Sequence, residues 1–477
     1  MISGFFNMHI GSLTNSSIIY ELESIQFSWF HLCTLIIFIL AILHTFMAGK
    51  ISKIAQNFEE NTLAKKGQPL AASTEEVYSF WGEVLYFFGE VEIIFGLWVI
   101  PLFLCIAGFY NWNTAMTYIN TRDYTEPLFV VVIMALASTK PIVHFAEGLM
   151  RRAAGVFGGT IEAWWFVILS LGPLTGSFIT EAGAMTLCAM LLSRQFFPYA
   201  PSKRLSYATI GLLFVNVSVG GVLTNFAAPP VLIIARTWDW SSLFMFYNFG
   251  IKAILGVFFS TSIYWLFFRK EFKKMETLSG AYHHIQEERL EQSNPIPIWI
   301  ICVHILFIIW TVVNSHHPVI FIAGLLFFLG FTRATKPYQY NTSIKSPILV
   351  GFFLAGLIIH GGVQGWWVIP LISGFSEKGV MLFGVFLTAF NDNAAVAYLT
   401  SLIPDSSALF RYSVISGVVT GGGLTVLANA PNPAGYVILQ KYFKEGIAPI
   451  PLLLAALFPT FVFFVLFFLR FFLPFSY

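Results

Sequence analysis

Residues 163–193, AWWFVILSLGPLTGSFITEAGAMTLCAMLLS, decide how the rest of the chain is read. As one helix rising 1.5 Å per residue, the stretch would be roughly 46 Å long, well beyond a bilayer core of about 30 Å. It is interrupted by Gly172-Pro173-Leu174-Thr175-Gly176-Ser177. Folded back at that point it gives two short arms, neither long enough to cross. The sequence therefore predicts a re-entrant hairpin that enters and leaves on the same side.

The surroundings of this stretch are those of a membrane protein. Of 477 residues, 57% are hydrophobic and 10% charged, against about 25% charged in an ordinary soluble chain. Apolar segments occupy approximately 28–48, 79–108, 127–149, 163–193, 207–235, 243–268, 297–314, 318–332, 346–373, 381–403, 412–439 and 447–469. Stretches such as 319–331 and 452–469 are apolar almost all round, which suits spanning helices and not the alternation of a β-barrel. The first 26 residues lack the basic start and cleavage pattern of a signal peptide and read as an N-terminal extension. Cys33, Cys105, Cys188 and Cys302 fall inside apolar segments without paired spacing, which argues for packing and against a disulfide framework or a zinc site.

Lysine and arginine test the hairpin, because cytoplasmic loops carry the excess of positive residues. With 49–78 inside, and with 163–193 and 381–403 as hairpins that do not cross, the basic loops 194–206, 269–296 and 333–345 all fall inside. The outer connections then keep only Arg122, Arg236, Lys378, Arg411 and Arg470. A single crossing by 163–193 would move those three basic loops outside. The fold predicted is all-α and polytopic, with about ten transmembrane helices and two re-entrant hairpins.

The same order of elements, span, span, span, hairpin, span, span, occurs twice in opposite orientation. This gives an inverted repeat: an extension at 1–27, a first half at 28–268, a cytoplasmic linker at 269–296 and a second half at 297–477. The spans at 207–235 and 412–439 are broken. Short local likenesses support the pairing. The stretch 177–183 resembles 389–395, and 220–230 resembles 422–433, with Glu181 aligning to either Asp392 or Asn393. Inverted repeats with binding sites on broken helices are the architecture of many secondary transporters.

Non-helical backbone inside a bilayer is tolerated where it is buried in protein or lines a cavity, and a bound ion satisfies it. The two hairpin tips and two broken spans offer oxygen ligands for a hard cation from Thr175, Ser177, Thr180, Thr224, Asn225, Asn391, Asn393, Thr425, Asn429 and Asn432. Kinked helices bonded to one another through these side chains are the alternative. A carboxylate at the centre of a span costs about 2.5–3.5 kcal/mol, so Asp392 and Glu181 need a partner or a task. Burial disfavours the charged form of a carboxyl and a bound cation favours it. One group can then hold either a proton or a sodium ion, and that competition is exchange. Either acid could instead cap a helix.

A second cluster, Glu83, Glu90 and Glu92 with Lys140, His144 and Glu147, reads as a buried ion network or a proton relay. His360 reads as a packed histidine, and His283, His284, His316 and His317 fall in connections. No H-E-x-x-H, G-x-S-x-G or Walker pattern occurs, which leaves a membrane-embedded enzyme without a constellation. A passive channel would not need two broken, inverted halves.

The stretches 175–183, 391–395, 220–230 and 421–433 resemble the ion transporter superfamily that includes arsenite permeases, divalent-anion symporters and NhaD-type sodium/proton antiporters. The similarity is greatest to its branch of sodium/proton antiporters. It implies exchange of Na+ and H+ without a cofactor, and the residues themselves suggest Asp392 as the exchanging carboxylate with Glu181 as pseudo-symmetric partner. It further implies a homodimer in a bacterial inner membrane, with a scaffold of outer helices around a mobile transport domain that moves like an elevator. Coupled transport of an oxyanion or carboxylate is the alternative. The tips depart from the Ser-Asn-Thr pattern of the anion branch, carrying Ser177-Phe178-Ile179-Thr180 and Asn391-Asp392-Asn393 instead.

Overall fold

The protein is described by a computed structural model at residue 22 and over residues 28–65, 80–235, 237–278, 296–339, 344–404, 406–443 and 446–472. Most of the N-terminal extension, residues 279–295 of the linker, and His283 and His284 lie outside these residues. The described residues are mostly helical and contain no strand. This is the all-α polytopic membrane protein expected of so apolar a sequence. Two compact units divide it: 1–127 with 349–373, and 128–348 with 374–477.

In the first unit, α1 (Trp29–Lys65), α2 (Phe80–Gly89), α3 (Val91–Phe109) and α4 (Trp112–Asn120) pack with residues 349–373. Gly356 lets two backbones meet, since a Cβ there would lie 2.5 Å from the backbone of Phe95 and Gly96. Tyr118 is fully buried and its hydroxyl donates to the Ile359 carbonyl at 2.6 Å. His360 is packed against the rings of Phe38 and Phe95.

The second unit contains α5 (Thr125–Ala137), α6 (Lys140–Val156), α7 (Ile161–Ile179), α8 (Glu181–Gln195), α9 (Lys203–Gly220), α10 (Pro229–Ala235), α11 (Ser242–Met245), α12 (Ile251–Leu278), α13 (Ile298–Val313) and α14 (Pro318–Ala334). After α15 (Lys345–Gly361) and α16 (Gly365–Ser373), it resumes with α17 (Glu377–Thr388), α18 (Asn393–Ser401), α19 (Ala408–Gly421), α20 (Asn432–Leu439) and α21 (Pro449–Phe468). Helix α9 and the 3-10 turn that follows it are buried from Leu205 to Leu223. At the periphery, Ile298, Val319, Phe327, Ile450 and Phe461 are exposed. Such a surface is a liability in water and fits hydrocarbon.

Several expected elements change shape. The chain reverses at Thr180 and not at 172–177: α7 runs through Pro173 to Ile179. Gly172 faces Cys188 and Gly176 faces Ala184, pairs equally distant from Thr180, as two antiparallel arms require. The small residues allow this close approach. With the turn displaced, α7 has 19 residues and is itself long enough to cross, contrary to the two short arms expected. Three stretches read as straight spans are bent pairs: 80–109 by 91°, 125–156 by 65° and 347–372 by 82°. At the second of these, Thr139 starts a new helix just ahead of Pro141, a residue favoured in a first turn, where its missing N–H is not needed.

Candidate functional site

Two helix starts meet the breaks in α9/α10 and α19/α20. Thr180, at φ 66° and ψ 156°, lies in a backbone region that side chains rarely adopt. Such a conformation costs about 1–3 kcal/mol and persists where surroundings over-determine it. Here its hydroxyl accepts the Gly183 N–H at 3.3 Å and caps α8. Asp392 does the same for α18, its carboxylate accepting the Ala394 N–H at 2.9 Å, with further backbone N–H contacts from Ala395 and Ala430.

The two halves of the site share a set of contacts. The Glu181 N–H donates to the Ala227 carbonyl at 3.5 Å, and the Asn393 N–H to the Ala428 carbonyl at 3.0 Å. The Thr224 hydroxyl donates to the Ser177 carbonyl at 2.8 Å, and the Thr425 hydroxyl to the Ala389 carbonyl at 2.9 Å. Gly220 abuts the Pro173 carbonyl, and Gly421 the Val385 carbonyl. The hairpin residues of these pairs share one offset in numbering and the broken-span residues share another, so Glu181 corresponds to Asn393, and Thr180 to Asp392. That resolves the alignment the sequence left open.

Glu181 is 1% exposed; its Oε2 accepts from Asn429 Nδ2 at 2.9 Å, and its Oε1 has no partner among the described residues. The same holds for Asn393 Oδ1 and Nδ2, Asn429 Oδ1 and Asn432 Oδ1, all on fully buried side chains. Asn432 Nδ2 is spent on the Gly422 and Thr425 carbonyls at 2.8 and 2.9 Å, which fixes that amide within the second break. Asn216, equally buried, has both ends of its amide bonded, to Leu169, Thr261 and Ser260. An unmade buried bond costs about 1–3 kcal/mol. One buried carboxylate oxygen and three amide oxygens are thus left without donors, and oxygens of this kind are what a hard cation takes as ligands.

The other sequence candidates hold the scaffold together. Thr175 donates back to the Gly172 carbonyl at 2.6 Å within α7. Ser177 donates to the Gly220 carbonyl at 2.7 Å and accepts the Leu223 N–H at 2.9 Å, tying the hairpin to the broken span. Asn225 bonds to Trp240 and Ser242, and the Asn391 side chain accepts the Asp392 N–H. Sequence reading missed Gly221 and Gly422 as site residues. A Cβ on Gly221 would lie 2.7 Å from Glu181 Oε1, and one on Gly422 would lie 2.9 Å from Asn393 Nδ2 and against Ser218. Their place in the two matched glycine pairs was the available signal.

Two members of the second acidic cluster lack the burial expected of an ion network. Glu83 and His144 are exposed, and Glu147 pairs with Arg151 at 3.1 Å, one turn along its own helix. Glu90 lies at the α2–α3 bend; the side chain of Glu92 lies outside the described residues. Glu83 and Glu90 belong to the first unit, and Lys140, His144 and Glu147 to the second.

Apolar helices around a buried, oxygen-lined break define a class, the polytopic membrane transporters of all-α fold. Over residues 29–470 the chain matches the family titled "Putative Na+/H+ antiporter", and it belongs to that family. It is accordingly a cation/proton antiporter in general class and a multi-pass membrane protein. A comparison with curated proteins gives no match.

Proposed function

We propose that the protein exchanges Na+ for H+ at Glu181, with Asn393, Asn429 and Asn432 as neutral oxygen ligands. The observation that carries this is the set of buried oxygens without donors around a carboxylate with one idle oxygen. When sodium is bound, Glu181 is the anionic ligand. When sodium leaves, the same carboxyl takes a proton, because an isolated buried charge is costly. Asp392, first choice from the sequence, is spent as a helix cap; its part is to hold α18 and set the local field.

The coupled-anion alternative loses support from the same geometry. The helix starts that would hold an anion carry Asp392 as cap in one case and Glu181 in the first turn in the other. The homodimer, the elevator-like movement, the inverted relation of the halves, the wider superfamily and the bacterial inner membrane belong to this proposal as well.

The test is proton movement in proteoliposomes carrying an inward-acid gradient, with sodium added outside. Sodium-dependent collapse is expected for the intact protein, to be absent in Glu181→Gln and to persist at a lower rate in Asp392→Asn. The opposite ranking moves the exchanging carboxyl to Asp392. No collapse with any alkali cation removes the reading.

A further inference from the structure

A cavity of about 770 Å³ lies between the start of α9, the middle of α12 and α21, and is lined by none of the residues of the breaks at 220–230 and 421–433. Lys203 and Arg204 stand among its lining residues, and both are exposed. Among the described residues neither forms an ion pair. The rest of the lining is aromatic and aliphatic, with Tyr207, Tyr264, Phe268 and Leu454. The two tyrosine hydroxyls are already used: Tyr264 donates to the Ala455 carbonyl at 2.7 Å, and Tyr207 accepts the Ala448 N–H at 2.9 Å. The walls are therefore mainly hydrocarbon, with both tyrosine hydroxyls engaged by the backbone, under a mouth that carries two cations.

Neighbouring charge has the same sign. Arg269, over the ring of Trp265 at 5.7 Å, and Lys270 follow Phe268 directly on α12. Glu271 is the opposing charge, and its carboxylate is held by the Ser202 N–H and hydroxyl at 2.7 and 3.1 Å. Loops 194–206 and 269–296 are those that the charge distribution reads as cytoplasmic, the side whose leaflet is rich in anionic lipid.

We propose that this groove is a binding site for an anionic phospholipid, its phosphate between Lys203 and Arg204 and one acyl chain along Tyr264, Phe268 and Leu454. Charge complementarity at the mouth, with an apolar interior, is what selects a lipid. A water-soluble anion would leave the walls uncovered, and a zwitterionic lipid would gain less from two cations.

The experiment is native mass spectrometry of the purified, delipidated full chain titrated with dioleoylphosphatidylglycerol or dioleoylphosphatidylethanolamine. Preferential retention of the phosphatidylglycerol is expected. At about 1 kcal/mol per basic residue near a membrane surface, Lys203→Ala with Arg204→Ala is expected to weaken it roughly 30-fold. Leu454→Trp, at an exposed position that folding tolerates, is expected to weaken both lipids by filling the groove. Equal retention of the two lipids, or retention indifferent to both variants, overturns the proposal. So does a dimer that Leu454→Trp dissociates, since it would give the groove to a second copy of the chain.

Discussion

Glu181 and Asp392 carry the same functional group and meet different fates because of what surrounds each oxygen. Asp392 has backbone N–H groups to accept from, whereas Glu181 Oε1 faces Gly221, with no donor. Glycine at 221 leaves room for that oxygen. Gly221→Ala would put a methyl 2.6 Å from Glu181 Cγ and 2.7 Å from Oε1. A side chain can move, so the variant is expected to fold, with sodium-dependent exchange strongly reduced at any sodium concentration that saturates the parent. Gly220→Ala meets the backbone carbonyl of Pro173 instead. Backbone cannot turn aside, and overpacking of this kind costs about 1–3 kcal/mol. Thermal unfolding in detergent is expected to separate the two variants, Gly220→Ala melting lower and Gly221→Ala near the parent.

At the scale of elements, the hairpin of α7 and α8 is fastened to the broken span by few bonds. Ser177 supplies two of them, and the residue at the matching place in the second half is Ala389, which has no hydroxyl to offer. Ser177→Ala would leave the buried Leu223 N–H without its acceptor, at a cost of about 1–3 kcal/mol. Lower thermal stability with altered exchange rate is the expected result, whereas Thr175→Ala, which removes only a bond within one helix, should leave both nearly unchanged. The breaks at 220–230 and 421–433 were legible in their glycines and prolines. The turn at Thr180 was not: Pro173 reads as a breaker, yet it sits in α7, while a threonine with positive φ makes the reversal. The bends in 80–109, 125–156 and 347–372 were also missed: hydropathy averaged over each run hides the polar or glycine-bearing step, at Glu90, at 138–141 and at 361–365, where the chain turns.

For the whole molecule, a cation that binds the folded state raises its stability by mass action, about 2.7 kcal/mol at one hundred times Kd. Sodium, compared with choline at equal ionic strength, is therefore expected to raise the melting temperature, and Glu181→Gln to abolish the rise. Sidedness has its own check. Lys274 and Lys378 are both exposed, and the charge distribution puts them on opposite sides of the membrane. An impermeant maleimide applied to intact cells is expected to label Lys378→Cys and spare Lys274→Cys. Labelling of both, or of Lys274→Cys alone, removes the hairpin topology.

The sequence by itself determined that the chain lives in a bilayer, that its helices are broken in the second and fourth quarters, and that polar residues gather at those breaks. Hydropathy and backbone chemistry are local properties, and they need no partner to be read. Only the tertiary structure decided that Glu181 matches Asn393, that Asp392, Asn225 and Asn391 are spent on the scaffold, and that Glu181, Asn393, Asn429 and Asn432 each keep a buried oxygen without a donor. Whether a buried oxygen is satisfied depends on donors brought from distant parts of the chain, and spacing along the sequence does not record them.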